Sequence, residues 1–135
     1  VPLFEGISDR HLKSLAKWTT TRRYNADDAI VTQGQTGLGL YCIQSGTVKV
    51  TISGPGGEKE LRQMGAGESF GELALLDDKP RSATVTAVEP TTAVLLDKSQ
   101  FRAELRSHPE IALPMLETLV GWLRESDLRA VQEPG

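Results

Sequence analysis

The 135-residue sequence predicts a mainly β domain with a short helix near its N-terminus and a long helix near its C-terminus. Three observations predict this. From Thr19 to Asp97, short runs of apolar and β-branched residues are separated by glycine-rich turns, making about eight strands. Within that region residues 47–53 alternate, with Val48, Val50 and Ile52 on one side and Thr47, Lys49 and Thr51 on the other. At both ends the alternation gives way to helical spacing, at Leu12, Leu15 and Ala16 and again from Met115 onward. Many short strands joined by close turns indicate an antiparallel roll or barrel.

Taken in order, Val1 to Gly6 is an entry segment, and Ser8 is placed to cap a helix over residues 9–17. Thr19–Tyr24 is a polar strand whose adjacent Arg22 and Arg23 read as a solvated edge. Ile30, Val31 and Thr32 form a strand before Gln33-Gly34-Gln35, and Gly37 and Gly39 bracket another turn. Residues 40–44 are a strand, and Ser45-Gly46 is a tight-turn signal. After the alternating strand, Gly54-Pro55-Gly56-Gly57 turns the chain, residues 58–64 return, and Gly65-Ala66-Gly67 leads into residues 70–85. Residues 83–88 and Thr91–Asp97 are strands on either side of Glu89-Pro90. Lys98–Ser107 reads as a helix with Phe101 and Leu105 four apart, and Pro109 suits a first helical position. Pro114 either starts the long helix or kinks it, because its ring removes a hydrogen bond inside a helix. From there residues 115–132 carry a stripe of Leu116, Leu119, Val120, Leu123 and Ala130. That spacing is close to a coiled-coil seam. It fits a helix packed on its own roll, a lid over a ligand, or a dimer seam. Glu133-Pro134-Gly135 ends the helix.

The length fits one domain over residues 1–135, divided into a helical segment to residue 18, a β region over 19–97 and helices over 98–133. The chain starts at Val1, as an excised or processed segment does. Hydrophobic residues at 39% and charged residues at 24% are ordinary for a soluble globule. The net charge of −3 argues against this segment gripping a nucleic-acid backbone, so no direct nucleic-acid contact is expected from it. No apolar run reaches the roughly 20 residues needed to span a bilayer, and no signal peptide is visible. A cytoplasmic protein without membrane contact from this segment is expected. Cys42 stands alone in an apolar strand pattern and reads as a buried thiol. His11 and His108 lie far apart in sequence, and neither has metal-ligand spacing to another His or Cys. No metal site is expected. Gly65, Gly67 and Gly71 are spaced one residue too long for a dinucleotide fingerprint, and no βαβ alternation surrounds them.

The stretch that carries chemistry is residues 70–85. Gly71 lets backbone N–H groups approach a ligand closely. Residues 73–76 read as one short helical turn, and Asp77 to Pro80 as a loop that returns the chain toward Gly71. Arg81 then supplies a permanent cation whose planar fork matches a phosphate. Glu72 accepts hydrogen bonds from hydroxyls, and Ser82 adds a donor beside the arginine. Together these suit a nucleotide with one phosphate and a free ribose hydroxyl. Read alone, Glu72 and Arg81 would serve equally as a surface ion pair on a turn.

The run Phe70-Gly71-Glu72-Leu73-Ala74, followed by Pro80-Arg81 and Ala83-Thr84-Val85, closely resembles the phosphate-binding cassette of cyclic nucleotide-binding domains. Such domains occur in catabolite activator protein and in regulatory subunits of cAMP-dependent protein kinase. Residues 40–50 look like that family's first hairpin, and residues 2–15 and 108–127 like its flanking helices. The resemblance implies an antiparallel β-roll with jelly-roll topology and a cyclic mononucleotide, cAMP more than cGMP, held within it. Arg81 is then expected to pair with the cyclic phosphate, with Ser82 and backbone N–H groups near Ala74 and Ala83 completing the cradle. Glu72, aided by Gly71, is expected to accept from the ribose 2′-hydroxyl. Val50, Leu61 and Leu73 are expected as apolar walls, Val50 equally as ordinary core, and Ser126 and Asp127 as base contacts. The long helix is expected to form a homodimer and to pass binding to an output domain beyond this sequence. In the transcription-factor branch a helix-turn-helix would follow Gly135.

No nucleophile with a neighbouring base and no metal set is present, so an enzyme is not expected and no cofactor is called for beyond the nucleotide ligand. The alternative is a domain of the same fold that dimerises or senses something else. One cysteine excludes an internal four-cysteine iron–sulfur cluster, and two distant histidines do not supply a cupin-like metal centre.

Overall fold

The computed structural model describes the backbone of residues 1–132 and the side chains of residues 1–126. A 3-10 turn at Pro2–Phe4 leads into α1 (Asp9–Ala16). Eight strands follow: β1 (Thr19–Tyr24), β2 (Ala29–Val31), β3 (Gly39–Ser45), β4 (Thr47–Gly54), β5 (Gly57–Gly65), β6 (Ser69–Phe70), β7 (Thr84–Ala87) and β8 (Thr91–Asp97). A second 3-10 turn, Glu72–Leu75, lies between β6 and β7. The chain ends in α2 (Lys98–Ser107), a third turn at Pro109–Ile111 and α3 (Ala112–Gln132). The strands form two antiparallel sheets, in the orders β1-β8-β3-β6 and β2-β7-β4-β5, which is a jelly-roll arrangement. Among the described residues no helix is long and apolar enough to cross a membrane.

Local chemistry accounts for the element ends. Ser8 caps α1, its hydroxyl accepting from the His11 N–H at 3.5 Å, and Asp97 caps α2 by accepting from the Gln100 N–H at 3.0 Å. Pro114 is the third residue of α3, within the first turn, where a missing N–H costs nothing. The helix therefore starts two residues before Pro114. The tight-turn signal at Ser45-Gly46 marks a different event from a hairpin, because β3 and β4 belong to different sheets. Gly46 has φ +98°, and a Cβ there would lie 2.4 Å from Thr91 Oγ1 and 2.7 Å from Pro90 O. It is the corner at which the chain crosses between sheets beside the Glu89-Pro90 crossing, with the Val88 N–H donating to Thr47 O at 2.8 Å.

Strand β4 alternates as far as Val50 and then shifts. Val50 pairs with Arg62 and Thr51 with Glu60, so Leu61 is the extra residue of a bulge. The bulge makes Thr51 a buried neighbour of Val50 and leaves Ile52 half-buried, which strict alternation does not predict.

Two apolar clusters hold the molecule together. Inside the roll, Tyr41, Ile43, Val48, Val50, Met64, Phe70, Val85, Ala93 and Leu95 pack together, with the Tyr41 and Phe70 rings stacked at 5.0 Å. Outside it, Leu3, Phe4, Ile7 and Leu15 meet Leu40, Leu75, Leu96, Phe101, Ile111 and Met115. Phe70 belongs to the first cluster and Leu75 to the second. The segment between them thus bridges the roll and the helical layer. Cys42 is half-buried, and burial pushes its thiol up.

On α3, Met115 is buried and Leu119 and Trp122 pack against the helical cluster. Leu113, Leu116, Val120 and Leu123 face outward, with Leu113 and Leu123 62% and 65% exposed. The stripe read from the sequence therefore divides between two faces, with Leu119 on the inner one. Ala130 lies outside the described side chains.

Candidate functional site

Arg81 is fixed by the backbone on both sides. Its N–H donates to Gln35 O at 2.8 Å and its carbonyl accepts from the Gly34 N–H at 2.8 Å, so the loop before β3 clamps the end of the 70–85 segment. Its guanidinium lies between two glycines. A Cβ on Gly37 would fall 2.3 Å from Nε, and one on Gly71 2.5 Å from Nη1. Gly71 also has φ +86°, a left-handed conformation that L side chains rarely adopt. Arg81 Nη2 donates to Gly39 O at 2.7 Å. Arg81 Nε is buried and has no hydrogen-bond partner among the described residues. Burial pushes the guanidinium below its ordinary value, with Tyr41 and Asp77 opposing that shift. It remains charged. A half-buried cation whose buried Nε–H makes no hydrogen bond among the described residues carries a cost that a bonded anion removes.

Glu72 opens the 3-10 turn and is half-buried. Its Oε2 accepts from the Leu3 N–H at 3.3 Å. Among the described residues Glu72 and Arg81 form no ion pair with each other, which removes the reading of the two as a paired surface bridge. A cavity of about 560 Å³ separates their elements, lined by Gly71, Glu72, Leu73, Ala74, Arg81 and Ser82 together with Arg62 and Trp122. A smaller one of about 130 Å³ continues into the roll beside Val50, Ala83 and Val85, sharing Arg62, Gly71, Arg81 and Ser82. The loop over the cavity is held from outside: Asp78 Oδ1 accepts from Lys98 Nζ at 3.0 Å and Arg102 Nη1 at 3.3 Å. Lys98 first, then Arg102, holds the Asp78 carboxyl below its ordinary value. Arg102 Nε also donates to Leu75 O at 3.1 Å, tying α2 to the turn that carries Glu72.

The family description "Cyclic nucleotide-binding domain" matches residues 21–108. The chain belongs to the cyclic nucleotide-binding domain family. It is 36% identical over 128 residues to the cyclic AMP receptor protein of Thermus thermophilus, covering 94% of this chain and 59% of that protein. It is 34% identical over 134 residues to the cAMP-dependent protein kinase regulatory subunit of Candida albicans, covering 99% of this chain and 26% of that protein. The chain thus spans less than two thirds of each of these relatives. In structure it is similar to the N-terminal domain of a transcriptional regulator from Streptomyces coelicolor, with a TM-score of 0.85, 30% identity and coverage of 93% and 91% of the two chains.

In this cyclic nucleotide-binding domain, the residues singled out from the sequence are distributed unevenly around the cavities. Gly71, Glu72, Leu73, Ala74, Arg81 and Ser82 line the larger one, and Val50 and Ala83 the smaller. Val50 is also part of the roll core. Leu61 lines neither: as the bulged residue it is 45% exposed, and its neighbour Arg62, opposite Val50, faces the cavities instead. The Ala74 N–H donates to Gly71 O at 3.1 Å, so it is engaged within the turn. Ser126 is exposed and lines neither cavity, and the Asp127 side chain lies outside the described residues. Trp122 was legible only as a large apolar residue at helical spacing from Met115 and Leu119. Its approach to the 70–85 segment depends on how α3 docks.

Proposed function

We propose that this domain is a regulatory sensor that binds a cyclic mononucleotide, cAMP in preference to cGMP, in the cavity between the 3-10 turn and Arg81. The observation that carries the reading is the buried Arg81 Nε, without a partner among the described residues, held between Gly37 and Gly71 at the cavity wall. A cyclic phosphate has one negative charge and acceptor oxygens for that fork and for the Ser82 hydroxyl. Glu72 accepts from the ribose 2′-hydroxyl. Val50, Ala83 and Val85 give the apolar end of the site, and Trp122 offers an aromatic face to the base. The relatives named for cyclic AMP support the choice of ligand class. No part of this site needs a metal or a catalytic group, and the chemistry is binding and release. A ligand made inside the cell would meet the domain in the cytoplasm.

Ser82 supports a modest preference, roughly ten- to a hundredfold, or about 1.4–2.8 kcal/mol. Its hydroxyl reaches the phosphate and does not exclude guanine. Calorimetric titration of the domain with cAMP and with cGMP tests the reading. Saturable binding of cAMP that exceeds cGMP is expected. Silence with both nucleotides would favour the alternative, a same-fold dimerisation module.

Glu72→Ala is expected to weaken cAMP binding and to matter much less for 2′-deoxy-cAMP. Equal losses for the two ligands would remove Glu72 from the ribose.

Transmission runs through α3, which packs by Met115, Leu119 and Trp122 on the cluster that holds Leu75. A ligand that prefers one docking of α3 shifts the domain toward it. The outward residues Leu113, Leu116, Val120 and Leu123 follow one another at intervals of three and four, the spacing of a helix seam against a second copy of this chain. Sedimentation is expected to show a dimer that Leu116→Glu with Leu123→Glu converts to a monomer. A wild-type monomer at high concentration would rule the seam out.

A further inference from the structure

We propose that His11, His108 and Glu110 form a binding site for a divalent transition-metal ion of the zinc class, at the seam between α1 and the turn that precedes α3. Fold assembly brings together side chains that are far apart in sequence. His11 Nε2 lies 3.1 Å from Glu110 Oε1, and His108 Nδ1 lies 3.5 Å from the same oxygen. The ligand atoms of all three residues lie within 4.8 Å of one another. Zinc bonds of roughly 2.0–2.2 Å to nitrogen and oxygen, in a tetrahedron, separate ligand atoms by roughly 3.3 Å. Two of the three separations are already close to that figure, and the third is no more than 4.8 Å.

A second observation points the same way. His11 Nδ1 lies 3.0 Å from Ser8 Oγ. When Nδ1–H donates to that hydroxyl, the opposite nitrogen is left as the ligand, and Nε2 then exchanges its hydrogen bond to Glu110 Oε1 for the ion. His11 is the well-buried member, with its side chain 12% exposed, whereas His108 and Glu110 are half-exposed. The site is thus anchored on α1 and open to solvent on its other side. Two imidazoles and one carboxylate suit zinc and its neighbours better than calcium or magnesium, which prefer all-oxygen sets.

His11 and His108 line a cleft of about 400 Å³ together with Arg10, Lys13, Ser14 and Lys17. Those cations oppose a dication through solvent, where the effect is weak. They also favour water or a small anion in the remaining position. None of the three ligands lines the cavities around Arg81. The ion would bridge the helix before the roll and the segment after it, without entering the nucleotide site.

The test is titration of tag-free, nucleotide-free protein with zinc chloride in a non-coordinating buffer, followed by calorimetry. One equivalent is expected to bind saturably. His108→Ala and Glu110→Gln, both at half-exposed positions, are each expected to weaken that binding by roughly tenfold or more. Ser8→Ala, which keeps all three ligands, is expected to weaken it roughly ten- to a hundredfold. Cys42→Ser is expected to leave it unchanged. Absence of a saturable equivalent in the wild type would overturn the site. So would equal zinc affinity in the wild type and in the His108 and Glu110 variants, or loss of binding in the Cys42 variant alone.

Discussion

Arg81→Ala is expected to weaken cAMP binding by roughly thirty- to a few-thousand-fold. The physical basis is the cost of leaving one member of a buried charged pair without the other, about 2–5 kcal/mol, at 1.4 kcal/mol per tenfold. The geometry argues for the upper part of that range. Its Nη2 is committed to Gly39 O, its Nε is buried without a partner among the described residues, and the glycines on either side leave room for no other side chain. Arg81→Lys is expected to recover little, because an ammonium at the end of a flexible stem does not reproduce a planar fork. Folding should suffer far less than binding. The variant forfeits one net hydrogen bond, about 1 kcal/mol, and is relieved of a desolvated charge. Calorimetry and urea denaturation on the same protein separate the two. Wild-type affinity in the alanine variant would show that the phosphate lies elsewhere.

Phe101→Ala is expected to remove about 3–5 kcal/mol of folding stability. Phe101 is fully buried, and its ring stacks on Phe4 at 6.0 Å. It belongs to the one cluster shared by the N-terminal segment, the turn carrying Glu72, and both C-terminal helices. Few residues are available to collapse into the space, since the rest of the cluster is spread over the Pro2–Phe4 turn, α1, β3, the Glu72–Leu75 turn, β8, the Pro109–Ile111 turn and α3. Domains of this size are stable by about 5–15 kcal/mol, so the variant should unfold at a markedly lower urea midpoint. A loss under about 1 kcal/mol would mean that the helical layer is not packed as described.

Much of the fold was legible because local chemistry dictates it. Ser8 marks a helix start wherever the rest of the chain goes, and α2 covers the residues that its spacing predicts. The 70–85 segment was legible because its glycine, proline and arginine are each demanded by backbone geometry or charge. What escaped depends on contacts between distant elements. β6 is two residues long and is a strand only because it pairs with Tyr41 and Cys42. Ser45-Gly46 announces a change of direction but not which sheet receives the chain. The bulge that leaves Leu61 off the cavities and sets Arg62 at their rim is a property of pairing with β4. Both faces of α3 carry large apolar residues, so periodicity alone does not say which is inside. His11 and His108 have no sequence spacing to read, because a ring contact at 5.8 Å arises only when α1 meets the C-terminal layer.

The hydrogen bond from the Leu3 N–H to Glu72 ties the Pro2–Phe4 turn to the carboxylate that we propose for the ribose end of the site. Leu3 is buried beside Leu75, so the carboxylate and the packing under it are both gripped by the same few residues. Coupling free energy is reciprocal. If a nucleotide at Glu72 loosens that grip by some factor, then tension that peels Leu3 away changes nucleotide affinity by the same factor. A partner that loads residues 1–4 would therefore tune nucleotide affinity through a turn that shares its cluster with α3, and the domain would answer to two inputs, one chemical and one delivered as force.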